Sequence, residues 1–133
     1  MNGSAVYLDT SAFLKLVVRE AESPALQRFL EPWQRWVSAA LIRTEVVRAL
    51  RRAGCDGLVP QARRLLGTLH LVRLDEQLLD RAADLEPAHL RSLDAVHLAA
   101  AIALGSDLGT FVSYDDRLRD SAVLAGLRAD APR

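Results

Sequence analysis

Cysteine, lysine and aromatic residues are scarce in these 133 residues, and each shortage closes off a class of answers. The one cysteine, Cys55, leaves no internal disulfide and no cysteine-based zinc site. Aromatics make up 5% of the chain, so the core has to be built from Leu, Ala and Val. No aromatic-rich surface for stacking bases is evident, and Trp33 and Trp36 read as packing residues. The 17 basic residues, all arginine except Lys15, are balanced by 17 acidic ones. At zero net charge, the field of the whole chain offers no argument for nucleic acid; only a local cluster of charge can supply one. Long uncharged apolar runs are also missing. The first 18 residues lean apolar but hold Asp9 and Lys15 and lack a basic start, so they read as neither a signal peptide nor a membrane span. The expectation is a cytoplasmic protein with no membrane partner.

What is present is a chain half hydrophobic and 26% charged, the balance of a globular protein. The length predicts one domain over 1–133, without repeats, low-complexity runs or linkers. A chain this long buries roughly two-thirds of its unfolded surface, enough for one core.

The pattern alternates. "AVYL" (5–8) reads as a short buried strand, followed by Asp9, Thr10 and Ser11 as cap chemistry for the helix "SAFLKLVV". "ESPALQRFL" restarts a helix with Ser23 as cap and Pro24 at the first helical position. "RWVSA" is a second strand. "ALIRTEVVRALRRAG" is the clearest amphipathic helix, stopped by Gly54. "DGLVPQARRLLGTL" is a helix, "HLVRLD" a third strand and "EQLLDRAADL" a helix. "RSLDAVHLAAAIALG" is a helix apolar on most of its surface, so it is expected to be buried. "TFVSYDD" is a fourth strand, "RLRDSAVLAG" a last helix, and "LRADA" a short edge strand. Strands alternating with helices predict an α/β fold with a parallel sheet covered on both faces. Such sheets bind ligands beyond the carboxyl ends of their strands, where Asp9 and Asp115 stand.

Four carboxylates interrupt or precede apolar runs: Asp9, Glu45, Asp94 and Asp115. Each has an ordinary reading. Asp9 and Asp94 can cap helices, Glu45 can pair with Arg48 or Arg52 at helical spacing, and Asp115 can be a turn residue. Their joint occurrence in this order is harder to assign to capping alone.

"YLDTSAFLKL", "ALIRTEVVRALRR", "LDAVHLAAAIALG" and "FVSYDDRL" resemble the four acidic motifs of PIN-domain ribonucleases, and more closely the VapC toxins of bacterial toxin–antitoxin pairs. The resemblance runs from residue 5 to about residue 120; "DTSA" and "DAVHLAAA" match best and the glutamate motif is looser. It implies a three-layer αβα sandwich around a central, mostly parallel sheet of about five strands. It implies Mg²⁺- or Mn²⁺-dependent endonucleolytic cleavage of RNA, with Asp9, Glu45, Asp94 and Asp115 as metal ligands and catalytic acids. It also implies a VapB-type antitoxin as inhibitor, a homodimer with higher assembly on the antitoxin, and operator DNA contacted only through the antitoxin. The adjacent Asp115 and Asp116 require a choice. Ser113-Tyr114-Asp115 fits the family pattern, and Phe111, Ser113 and Asp115 share a face if the strand extends that far. Asp115 is therefore the acid, and Asp116 is expected to cap the next helix, with an outer role at the site as the alternative.

The chemistry suits these residue types. Hydrolysing a phosphodiester requires an activated water and a stabilised, more anionic phosphorus centre, and a divalent metal supplies both. Mg²⁺ takes oxygen ligands. Around it, Ser11 and Thr10 have two readings, as supports for a bound water or phosphate or as helix caps. His97, one turn beyond Asp94, either orients a ligand or is a hydrogen-bonded core residue. His70 and His89 read as surface residues. Arg43, Arg48, Arg91 and Arg117 are candidates for guiding RNA past the acids, through salt-dependent phosphate contacts. Two other readings compete. An aspartate-based phosphohydrolase would carry a second aspartate where Ser11 stands, and Lys15 falls too early for its lysine. A catalytically silent PIN-like binding module would be expected to have lost one of the four acids, yet all four positions are filled.

Overall fold

The computed structural model describes residues 3–133. Five strands form one sheet: β1 (Ala5–Leu8), β2 (Arg35–Ala39), β3 (His70–Val72), β4 (Leu108–Val112) and β5 (Ala129–Asp130). Their order is β3-β2-β1-β4-β5 and every pairing is parallel. Seven α-helices connect them: α1 (Thr10–Val17), α2 (Ser23–Leu30), α3 (Ile42–Arg52), α4 (Val59–Leu66), α5 (Glu76–Ala83), α6 (Ser92–Ile102) and α7 (Asp116–Leu124).

The period of two along β1 divides the core. Val6 and Leu8 face one side with residues of α1, α2, α3 and α4. Ala5 and Tyr7 face the other with residues of α5, α6 and α7. All four residues of β1 are fully buried, as expected of a central strand in a parallel sheet covered on both faces. This is the three-layer sandwich expected from the sequence. Helix α6 is buried from Ala95 to Ala101, in keeping with its apolar surface. Trp33 and Trp36 pack against the core on the Val6 and Leu8 side of the sheet, as packing residues should.

The chain leaves β1 toward β2 on one side, while β4 pairs on the other. Such a reversal of strand order opens a crevice at the carboxyl ends of the two strands. Asp9 directly follows β1, and Asp115 lies three residues beyond β4.

Several local expectations need correction. Strand β4 starts at Leu108 and ends at Val112, so Ser113 and Asp115 lie beyond it and strand alternation does not relate them. The backbone turns there because Asp115, not Asp116, caps α7: its Oδ1 accepts from the Arg117 and Leu118 amides at 2.9 and 3.2 Å. Asp116 is the first residue of α7 and pairs with Arg119. Asp94 does not cap α6, because the helix begins two residues earlier and Asp94 sits in its first turn. Ser23 is already helical and makes no cap bond; its hydroxyl accepts from the Glu20 amide and donates to the Lys15 carbonyl. Gly54 ends α3 at φ +73°, a backbone that favours glycine.

Candidate active site

Asp9 caps α1. Its Oδ1 accepts from the Ala12 amide at 2.9 Å and from the Ser11 hydroxyl at 2.6 Å. Its Oδ2 accepts from the Ser113 hydroxyl at 2.6 Å. The residue is only 4% exposed. Burial is the strongest influence on it and raises its pKa, against the lowering effect of the Ser11, Ser113 and Ala12 bonds. Ser113 also accepts the Asp115 amide at 3.1 Å, and Ser11 accepts the Tyr114 amide at 2.9 Å. Two hydroxyls thus tie the end of β1 to the turn after β4.

Glu45 lies in the first turn of α3 and faces inward, not toward Arg48 or Arg52. Its Oε1 accepts from Thr10 Oγ1 at 2.7 Å and lies 2.6 Å from His97 Nε2. Burial opposes ionisation most strongly, but the hydrogen bond and charge of His97, with the Thr10 bond, hold the carboxyl below its ordinary pKa. His97 is 2% exposed, and its Nδ1 lies 2.8 Å from the Tyr7 hydroxyl. A carboxylate only accepts, so Nε2 bears the proton facing Glu45; in the neutral ring Nδ1 then accepts from Tyr7. His97 is thus a hydrogen-bonded core residue, and one of the groups it contacts is the Glu45 carboxylate.

Asp94 and Asp115 share one cation. The Arg91 guanidinium lies 3.2 Å from Asp94 Oδ2 and 3.3 Å from Asp115 Oδ2. Glu45, Asp94 and Arg91 also line one cavity of about 290 Å³. The four acids are thus joined through short links: Asp9 through Ser113 to the Asp115 amide, Asp115 through Arg91 to Asp94, and Asp94 along α6 to His97 and Glu45. Among the described residues, no three His, Cys, Asp or Glu side chains stand close enough to hold a metal ion between them. The donor chemistry still fits a hard divalent cation, because the acids present oxygen only and two of them already flank a positive group.

The remaining candidates fall at varied distances from this network. Arg117 borders Asp94 in a neighbouring cavity, while Arg43 and Arg48 are exposed on α3. His70 and His89 are exposed, as expected. Lys15 pairs with Glu20 and Glu22, so its ammonium is engaged apart from the acids and offers nothing to a phosphohydrolase reading. Sequence reasoning missed Tyr7, which stands in a buried strand with no local signal. It noted Ser113 only as part of a pattern. The signal there was a hydroxyl two residues before an acid at a strand end.

An αβα sandwich with acids gathered beyond its central strands places those acids where parallel α/β sheets take their ligands. The model of the PIN domain matches residues 6–124. Ribonuclease VapC46 of Mycobacterium tuberculosis is 50% identical over 129 residues, covering 97% of this chain and 98% of that one. Ribonuclease VapC35 of the same organism is 39% identical over 131 residues, 96% of each chain. Among solved structures, the sarcin–ricin loop cleaving toxin VapC20 of Mycobacterium tuberculosis superposes with a TM-score of 0.75 at 16% identity, over 96% of this chain and 99% of that one. VapBC2 of Rickettsia felis, bound to a DNA fragment from its promoter, gives 0.72 at 10% identity, over 97% and 99%. At those identities the structural likeness bears on the fold. The chain belongs to the PIN-domain family, within its VapC ribonucleases.

Proposed function

We propose that this protein is the toxin of a toxin–antitoxin pair, an endoribonuclease dependent on Mg²⁺ or Mn²⁺. The observation that carries the reading is the linked set Asp9, Glu45, Asp94 and Asp115 at the carboxyl end of the sheet, in a chain half identical to a ribonuclease. Residues 1–133 are read as one domain working in the cytoplasm.

The four carboxylates would hold the metal, which supplies Lewis acidity toward the phosphodiester and a water acidified for attack. The chain's own groups prepare for it. Ser11 and Ser113 fix both oxygens of Asp9. Thr10 and His97 both bond Glu45 Oε1, so the ionised carboxylate is locked in one orientation. Arg91, with a 76% exposed side chain, neutralises Asp94 and Asp115 and is free to turn toward an RNA phosphate. Asp116 and Arg119 brace the start of α7.

The partners in this reading are RNA as substrate, a VapB-type antitoxin, and a second copy of the chain, with operator DNA reached only through the antitoxin. A single monomeric species in sedimentation, with and without the co-expressed neighbouring gene product, would count against the assembly. Cleavage of RNA is tested with Mg²⁺, with Mn²⁺ and with EDTA, using the wild type and Asp94→Asn. The wild type is expected to cut only with metal, and the variant to lose about two or more orders of magnitude in rate. Equal cleavage by both proteins removes Asp94 from the site, and undiminished cleavage in EDTA removes the metal.

A further inference from the structure

A second cavity, about 190 Å³, shares Arg91 and Asp94 with the Glu45 cavity but is otherwise built from different residues. One wall is α7, which presents Arg117, Asp120, Ser121 and Leu124. These positions are i, i+3, i+4 and i+7, one face of the helix. The opposite wall is the loop between α5 and α6, with Pro87, His89 and Leu90. Of these, Asp120, Leu124, Pro87, His89 and Leu90 have no part in the acid network.

Its size and lining narrow the ligand. Pockets for drug-sized molecules run to roughly 300–1,000 Å³, so this one fits a single ring system and not a helix or a folded segment. Pro87, Leu90 and Leu124 offer apolar contact to a flat ring, and Leu124 is 70% exposed at the rim. Among the described residues, neither the Asp120 carboxylate nor the Arg117 guanidinium makes an ion pair. The cavity therefore presents an acceptor and a donor, both without an ion-pair partner among the described residues, beside apolar side chains and against Asp94, which lines it too.

We propose that this cavity receives the unpaired base of the nucleotide beside the scissile phosphate, and that guanine is the base it fits best. The inference rests on the endoribonuclease reading above. Proteins read single-stranded RNA by stacking its bases and bonding their edges. A carboxylate accepts N–H donors, and the Watson–Crick edge of guanine offers two side by side. Arginine is the usual donor to its O6 and N7. No other base offers both edges to this pair. Arg91, between the two cavities, is placed to meet the phosphate that joins the bound base to the cleavage point.

The test needs no catalysis. ¹⁵N-labelled protein is titrated with each of the four nucleoside 5′-monophosphates, and separately with inorganic phosphate, while amide shifts are followed by NMR. Guanosine 5′-monophosphate is expected to move the amides of residues 89–91 and 120–124 at several-fold lower concentration than the other three. Asp120→Asn is expected to weaken that response, and Leu124→Trp, which fills the rim, to abolish it with the rest of the spectrum unchanged. No response at these residues overturns the proposal. So does an equal response to all four nucleotides, a response reproduced by inorganic phosphate alone, or a response that survives both substitutions. Cleavage assays run in parallel keep the two ideas apart. Guanine-selective shifts without RNA cleavage support the cavity and remove the reaction, whereas cleavage without these shifts overturns the cavity and leaves the reaction standing.

Discussion

Asp9 carries a structural and a chemical demand on one side chain. It caps α1 through the Ala12 amide, yet its carboxylate is buried and its pKa is raised. The folded chain therefore holds that proton more tightly than the unfolded chain. By linkage, stability is greatest below the unfolded pKa and declines as pH rises through the folded pKa. Asparagine caps as well as aspartate and carries no charge. Asp9→Asn is thus expected to be more stable than the wild type at neutral pH. Its advantage should shrink as pH falls through the folded pKa of Asp9 and the wild-type carboxyl takes up its proton. Thermal denaturation across a pH series checks this. The same variant should lose RNA cleavage if Asp9 holds metal, and retain it if Asp9 only caps. Higher stability with lost activity is the usual mark of a charge kept for function.

Three elements meet at His97. β1 supplies Tyr7, α6 supplies the imidazole and α3 supplies Glu45, linked at 2.8 and 2.6 Å. Tyr7 is remote from the open cavity, so it acts only through the ring it holds. Tyr7→Phe removes one buried hydrogen bond and is expected to cost about 1–2 kcal/mol. It should also lower kcat for RNA while leaving KM near its wild-type value, because Glu45 loses its fixed orientation and the substrate surface is untouched. Steady-state kinetics beside a melting curve separates the two effects; a change in KM alone would speak against positioning. α7 makes a second point at this scale. Its start was placed one residue late from the sequence, because adjacent aspartates are equal candidates for a cap. The choice fell to Asp115 because Ser113 Oγ accepts its amide, turning its carboxylate back onto the Arg117 and Leu118 amides.

For the whole molecule, neutrality has a consequence. With 17 basic and 17 acidic residues, the proposed RNA substrate would have to be held by a few local arginines. The salt dependence of binding should therefore be shallow, and Arg91→Gln should reduce the slope of log K against log salt by about 1. Filter binding over a salt series, with Asp94→Asn as background to prevent cutting, measures it; an unchanged slope removes Arg91 from the phosphate path. The strand order also belongs to this scale. β1 sits between β2 and β4, so the reversal of order falls beside Asp9, and the acids after β1, in α3, in α6 and in the turn after β4 are linked there by hydrogen bonds and the Arg91 pairs.

The sequence by itself determined the alternation of strands and helices and the buried character of β1 and α6, which follow from period, cap chemistry and composition, all of which act between near neighbours in the chain. The four acids are singled out by the resemblance of their motifs to those of PIN-domain ribonucleases, since each taken alone also reads as a cap, an ion-pair partner or a turn residue. The tertiary structure alone decided which donor each acid receives. Thr10 reaches Glu45 across 35 positions, His97 reaches Glu45 across 52, Tyr7 reaches His97 across 90, and Ser113 reaches Asp9 across 104. Helical spacing offered Glu45 the nearby arginines Arg48 and Arg52, but the fold brings α3 and α6, from opposite faces of the sheet, together at Glu45 and the buried His97 instead. Local propensity cannot encode that choice, because it depends on which elements the core brings into contact.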